Sequence, residues 1–391
     1  MLIPSNPEVE LQFRLLQRIG SNQKAQERIQ DIITADLDWE SVISTSSCHG
    51  TLPLLHAAIR DLDLHPPEAV KKSLRETYEQ RALANIDHVK QLNTVVQTLR
   101  CQGIRVIPYK GPMLTRVAYD ELGLRWFSDL DLLVAPENIL EARETLLENG
   151  YRQTNLVGVP PTELVDGSIF RWGGEFHFDK DDCIPVELRY QFVGKLSDAQ
   201  SVFYDLCDNQ TSRQIAGIEF PSLSLEDRLI ILLAHGTKHG WNRLSWIYDI
   251  ALLSQNNINW KTVLRRSEKY GWQDATLLGL AVASELANIE LPPIVRQSIN
   301  NNIRAQFGAS IIQKLYQDPN RYAEMDVDTL MSVLYLNKSI VESTKELADI
   351  VFSPWEKDYQ WVSLPPQLYP LYYLVRPCRL SVSMIRRIVD R

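Results

Sequence analysis

Ile104-Arg-Val-Ile-Pro-Tyr-Lys-Gly-Pro112 and, after a short helical insert, Leu124-Arg-Trp-Phe-Ser-Asp-Leu-Asp-Leu-Leu-Val134 are the stretches that decide the fold. From Ser128 to Val134 polar and apolar residues alternate, so a β-strand puts Asp129 and Asp131 on one face and Leu130, Leu132 and Val134 on the other. Two carboxylates two residues apart on a strand converge on one point, and hard oxygen donors of this kind suit Mg²⁺ carrying phosphates. The alternative is an edge strand with two solvated acids. Asp is disfavoured inside strands, and the apolar neighbours imply burial, which favours the site.

Upstream, Ile86, Val89, Leu92, Val96 and Leu99 form a helical stripe ending at Gly103, and a strand over Ile104 to Ile107 follows. The chain then turns at Lys110-Gly111-Pro112, where exposed amides at a helix start and the lysine charge make an anion site. The next helix runs from about Pro112 to Tyr119. Arg125 lies four residues before Asp129, within reach of metal-held phosphates; its other reading is an ion pair with one of the aspartates.

Downstream, Pro136 opens a helix that Gly150 closes, with Ile139, Ala142, Leu146 and Leu147 inward. Residues 156–168, with Pro160 and Pro161, read as a loop or flap over the site. A hairpin is predicted from Glu175-Phe-His-Phe178 through Asp179 to Asp182 into Ile184-Pro-Val-Glu-Leu-Arg-Tyr190. Its second strand sets Glu187 and Arg189 opposite Val186, Leu188 and Tyr190. If that strand lies beside the acidic one, Glu187 supplies a third carboxylate; otherwise it makes a cross-strand salt bridge. His177 faces either the same cleft or solvent. Strand, helix, strand, helix and more strand make an α/β or α+β unit.

The flanks read as helical. Leu11, Leu15, Ile19, Ile29, Ile32 and Ile33 fall at helix spacing, and Trp39 to Arg60 adds a helix pair. His49 and His56 read as packed or surface residues, and Asp61-Leu-Asp63 as a loop that only echoes the acidic pair. From about residue 215 the chain reads as helical nearly to its end. Ser224 and Asp227 resemble a capping box opening a helix to His235-Gly-Thr-Lys-His239. A zinc protease would need Glu where Gly236 stands. His235, Lys238 and His239, with Trp241, Arg243, Trp246 and Asp249 nearby, read instead as a second wall of a nucleotide cleft or as an aromatic helix junction.

The chain has 391 residues, 45% hydrophobic and 23% charged, enough for two or three domains. The expected divisions are a helical segment over 1–84, an α/β core over 85–215, a helical domain over 216–350, and an aromatic, basic segment over 351–391 docked on that domain. The last could instead lie on an anionic membrane surface. With 41 basic against 49 acidic residues, net −8, general nucleic-acid binding is not expected. No stretch approaches the roughly 20 apolar residues of a membrane span. The start lacks signal-peptide character, and the five scattered cysteines form no CxxC pair, so a cytoplasmic protein is expected.

Taken together, Lys110-Gly111, Tyr119, Arg125, Asp129-Leu-Asp131, Glu187 in Val-Glu-Leu-Arg-Tyr, and His235 to Asp249 resemble the uncharacterised nucleotidyltransferase family, itself similar to the polymerase β-like nucleotidyltransferase superfamily. The resemblance runs from about residue 45 to the closing Leu-Pro and Tyr-Tyr-Leu-x-Arg-Pro elements. It implies an α+β fold: a small mixed sheet with flanking helices, an N-terminal helical segment and a large C-terminal helical domain. It also implies Mg²⁺, two ions in the usual case, and an NTP as co-substrate. Asp129, Asp131 and Glu187 would be the catalytic and metal-binding carboxylates. Lys110, Gly111, Arg125, Ser128, His235, Lys238 and His239 would hold the nucleotide. The NMP would pass to an acceptor of sugar, small-molecule, peptide or protein class with loss of pyrophosphate. Two features depart from relatives: Lys-Gly replaces the superfamily's Gly-Ser turn, and Glu187-Leu-Arg-Tyr190 replaces Asp-x-His-Trp. An inactive nucleotide- or partner-binding protein of the same fold is the rival, and a kinase-like enzyme is disfavoured because no P-loop or kinase glycine loop is present.

Overall fold

The computed structural model describes residues 6–19, 22–34, 37–119, 121–156, 175–190, 196–318, 322, 331, 348, 351–354 and 356–389. The expected flap, apart from Leu156, lies outside them. Four helices open the chain: α1 (Pro7–Gln17), α2 (Gln23–Ile33), α3 (Trp39–Cys48) and α4 (Leu52–Asp61). Asn6, Asn22 and Asp38 cap the first three by accepting amide hydrogen bonds from the first turn. α5 (Glu68–Cys101) follows as one uninterrupted helix, crossing the division expected at 84.

The sheet comes next. β1 (Val106–Pro108), α6 (Gly111–Ala118), β2 (Leu130–Val134), α7 (Ile139–Glu148), β3 (Arg152–Gln153), β4 (Glu175–Asp179) and β5 (Val186–Arg189) build a mixed five-stranded sheet in the order β1-β2-β5-β4-β3. β2 and β5 are parallel, with Leu130 opposite Val186 and Asp131 opposite Glu187. β4 and β5 form the expected hairpin, antiparallel, with His177 opposite Glu187 and Glu175 opposite Arg189.

Alternation then sorts the residues. Leu130, Leu132, Val134, Phe176, Phe178, Val186 and Leu188 point to one face and pack on Val89, Leu92, Val96 and Leu99 of α5 and Ala142 and Leu146 of α7. Of the stripe read from the sequence, Ile86 alone is exposed, at 38%. α5 ends with the Ile104 amide bonded back to the Leu99 carbonyl at 3.1 Å, a Schellman closure that turns the chain straight into β1. Leu133 and Ala135 point to the opposite face and join Ile107 and Tyr109 in a core shared with the helices that follow. Asp131, Glu187 and His177 stand on that second face too.

After α8 (Leu196–Asp208) comes a hairpin, β6 (Thr211–Ile215) and β7 (Ile218–Ser222), whose second strand lies past residue 215, where the sequence reads as helical. Its two-residue turn, Ala216-Gly217, has positive φ at both positions (48° and 80°), the geometry that matches hairpin twist. Ala in place of Asn or Asp hid the signal. The helical half is α9 (Leu225–Lys238), α10 (Leu244–Leu253), α11 (Trp260–Tyr270), α12 (Gln273–Ala287), α13 (Pro293–Asn300) and α14 (Ile303–Leu315). Ser224 caps α9 as expected, accepting from the Asp227 amide at 3.1 Å and donating to its carboxylate at 2.7 Å. α15 (Glu356–Trp361) and α16 (Tyr372–Val389) close the chain, tied together by buried Asp358 with Arg376 and Arg379. No helix among the described residues is long and apolar enough to cross a membrane.

Candidate active site

Asp131 is the centre of the polar face, mid-strand and 3% exposed. Its Oδ1 accepts from the Tyr109 hydroxyl at 3.0 Å and the Lys110 ammonium at 3.2 Å. Both donors arrive there because β1 runs antiparallel to β2 and the Tyr109 amide continues the ladder to the Asp131 carbonyl at 3.2 Å. The next residue, Gly111, has φ +48°, and a Cβ there would stand 3.2 Å from the Asp129 carbonyl oxygen. A side chain at this point would strain the backbone and push the turn off the acidic strand.

The turn is also held from the helical half. Arg228 of α9 is fully buried and donates to the Tyr109 carbonyl, with a second bond to Ser222 Oγ at 2.8 Å. Burial, then the charges of Arg213 and Arg125, pull its guanidinium down to about 9.

Asp129 lies just before β2, half-buried, with Ser128 Oγ 3.3 Å from its Oδ2. Burial, followed by repulsion from Asp131 and Glu187, pushes its carboxyl up to about 6 against the pull of Lys110 and Arg125. The three acids therefore feel one another across the face. Glu187, however, is turned along the sheet: its Oε2 accepts from Arg189 at 2.9 Å and its Oε1 is 3.8 Å from His177 Nε2. Among the described residues, the one trio of metal-binding side chains whose donor atoms lie within 4.8 Å of one another is Glu175, His177 and Glu187, without either aspartate.

Arg125 is spent elsewhere. Its guanidinium holds Asp249 through two bonds, 2.9 and 3.1 Å, and the Tyr119 hydroxyl adds a third to Asp249 at 2.7 Å. The ion pair that the sequence allowed is thus made with an acid of α10, not with the strand aspartates. One buried nitrogen, Nη1, has no hydrogen-bond partner among the described residues.

The end of α9 carries an aromatic cluster. His235, His239 and Trp246 pack ring to ring at 4.5 to 5.5 Å. Burial, then the Lys110 charge, drive the His235 imidazole well below its ordinary value, with Arg189 and Lys238 adding to the effect. Burial tends to raise Glu175, but Arg189, His177 and Lys238 outweigh it and hold that carboxyl far below the usual range. The helix end and the sheet face thus share one electrostatic environment. Trp241, by contrast, is a core residue: its indole fills the space left by Gly236 and Gly279, where a Cβ would meet it at 2.6 and 2.4 Å. Gly236 stands where a zinc protease has glutamate because that ring needs the room.

Sequence reasoning passed over Tyr109, Glu175, Arg189 and Arg228. Glu175 and Arg189 carried a signal, since Glu175 shares the polar alternation of His177, and Arg189 that of Glu187. The Arg228 contact spans 119 residues and leaves no local pattern.

Asp129 and Asp131 fit a dication. Asp131 Oδ2 takes no hydrogen bond among the described residues, and the mutual repulsion that raises Asp129 is what a bound cation relieves. A mixed sheet carrying an acid pair on the strand beside a Lys-Gly turn, walled by helices, defines a nucleotidyltransferase-type protein. Comparison with known families agrees: residues 35–288 match the family described as uncharacterised nucleotidyltransferase, and the chain belongs to it. No curated protein matches the chain.

Proposed function

We propose that the protein transfers an NMP from a Mg²⁺-bound NTP to an acceptor nucleophile, releasing pyrophosphate. The observation that supports this is the bond of Lys110, at the Gly111 turn, to Asp131, together with the electrostatic influence of both groups on Asp129. Magnesium, when bound, would neutralise phosphate charge and polarise the α-phosphorus. Asp129 and Asp131 would hold it, with Glu187 the third carboxylate one strand away. Lys110, already poised on Asp131, would move to the phosphates, joined by the amides at the start of α6 and by Arg125 Nη1. Ser128 would hold Asp129 in place. His235, Lys238 and His239 would form the nucleotide's second wall, His235 as a neutral ring offering stacking without charge.

Calorimetric titration of Mg·NTP into wild-type protein and Asp131→Asn tests this. Binding in the wild type and its loss in the variant are expected; equal binding in both would remove the site. The hold of Arg189 on Glu187 favours a second reading, a nucleotide-binding protein that does not turn over. Pyrophosphate release across sugar, peptide and small-molecule acceptors separates the two.

A further inference from the structure

One strand beyond Glu187 the polar face carries a donor set of different chemistry. His177 Nε2 stands 3.3 Å from Glu175 Oε1 and 3.8 Å from Glu187 Oε1. A tetrahedral ion with bonds of about 2.1 Å spaces its ligand atoms about 3.4 Å apart. The trio needs only small adjustments to reach that spacing. Its backbone is already fixed, because β4–β5 pairing sets His177 opposite Glu187 and alternation sets Glu175 on the same face.

Arg189 completes the arrangement. Its Nη2 engages Oε2 of both glutamates, so both Oε1 atoms are left toward the imidazole. Outer-shell partners orient metal-binding carboxylates in this way, and one guanidinium charge does not cancel two carboxylates. His177 Nε2 is shielded from solvent and makes no hydrogen bond of good geometry among the described residues.

We infer that Glu175, His177 and Glu187 bind a transition-metal dication, zinc being the best match to one nitrogen and two oxygens. The site shares Glu187 with the proposed magnesium site but needs neither Asp129 nor Asp131, and it does not depend on nucleotidyl transfer. Magnesium, which takes oxygen ligands, would not compete effectively for it. Glu187 lies between the two, register partner of Asp131 on one side and of His177 on the other.

The test uses the full-length chain, stripped of metal and titrated with Co²⁺ in excess Mg²⁺. A visible cobalt absorption band that Zn²⁺ displaces is expected. His177→Gln should weaken Co²⁺ binding about 100-fold or more, beyond the 10–100-fold typical of losing an outer-shell partner. Asp129→Asn and Asp131→Asn should keep the band even while losing Mg·NTP binding, so the two sites fail independently. Absence of the band, its persistence in His177→Gln, or its loss in Asp131→Asn overturns the inference. Should His177→Gln not fold by thermal melting, Mn²⁺ bound to the wild type must show imidazole nitrogen coupling by pulsed electron paramagnetic resonance, and its absence is equally decisive.

Discussion

Asp249→Ala is the perturbation whose cost the structure sets most firmly. The side chains of Arg125 and Asp249 are 11% and 3% exposed, so neither charge has water to fall back on. Removing the carboxylate deletes both guanidinium bonds and the Tyr119 hydroxyl bond at once. It leaves a buried cation that Asp129 and Asp131, which also feel Lys110, only partly offset. Breaking a buried pair from one side typically costs about 3–5 kcal/mol. At about 1.2 °C per kcal/mol for a chain of this size, the melting temperature should fall by roughly 4–6 °C. Arg125→Met should cost about as much by stranding Asp249, whereas Arg125→Met with Asp249→Leu should recover much of the loss, because two apolar side chains leave no unpaired charge. Urea unfolding of the wild type, Arg125→Met, Asp249→Leu and the double variant gives the cycle. Strictly additive losses, or a loss below about 1 kcal/mol in Asp249→Ala, would refute the claim that this pair fastens the acidic strand to the helical half.

Gly236→Ala should destabilise by about 1–3 kcal/mol in thermal melts, because the new methyl meets the Trp241 ring in a filled core. Asp129→Asn removes a carboxylate that its neighbours repel; the metal-free variant should be more stable than wild type by about 1 kcal/mol, and Mg²⁺ should raise the melting temperature of the wild type only. The Arg28 hydrogen bond, opposed by burial and aided by Arg14, holds the Glu10 carboxyl below its ordinary 4.5. The stability this gives is present above about pH 4.5 and is lost as pH falls through the lowered folded value. Glu10→Gln should therefore flatten the acid limb of the stability curve by roughly 0.5–1 kcal/mol, the share expected of a pair whose Arg28 is 46% exposed.

What could be read from the sequence was what neighbouring residues encode. The alternation around Asp129 and Asp131 gave both the strand and its two faces, and the Lys110-Gly111 turn announced itself through Gly and Pro. The Glu175 to Tyr190 hairpin followed from the same period of two. Its side chains did not. For Glu187 the sequence left open a third carboxylate beside Asp131 or a salt bridge with a neighbour; the strands do lie side by side, and Arg189 and His177 engage its carboxylate, a contest that depends on which charges the folded strands bring within a few ångströms. Arg125 illustrates the same limit: its partner is 124 residues away, and the sequence placed Asp249 only near a second cleft wall or an aromatic helix junction. The second hairpin was missed for a different reason, a turn built on Ala216 rather than on a residue that favours positive φ.

The bond from Arg228 to the Tyr109 carbonyl bears on how far the protein can be cut down. A fragment stopping at residue 215 would keep every strand of the five-stranded sheet and the sheet-face acids Asp129, Asp131, Glu175 and Glu187, and would look from its sequence like a minimal enzyme. It would lack Arg228, which grips the peptide just ahead of Lys110, and it would open Ile107, Leu133 and Ala135 to water. The lysine would then swing on a slack hinge, so the two halves have to be inherited, expressed and engineered as a single working part.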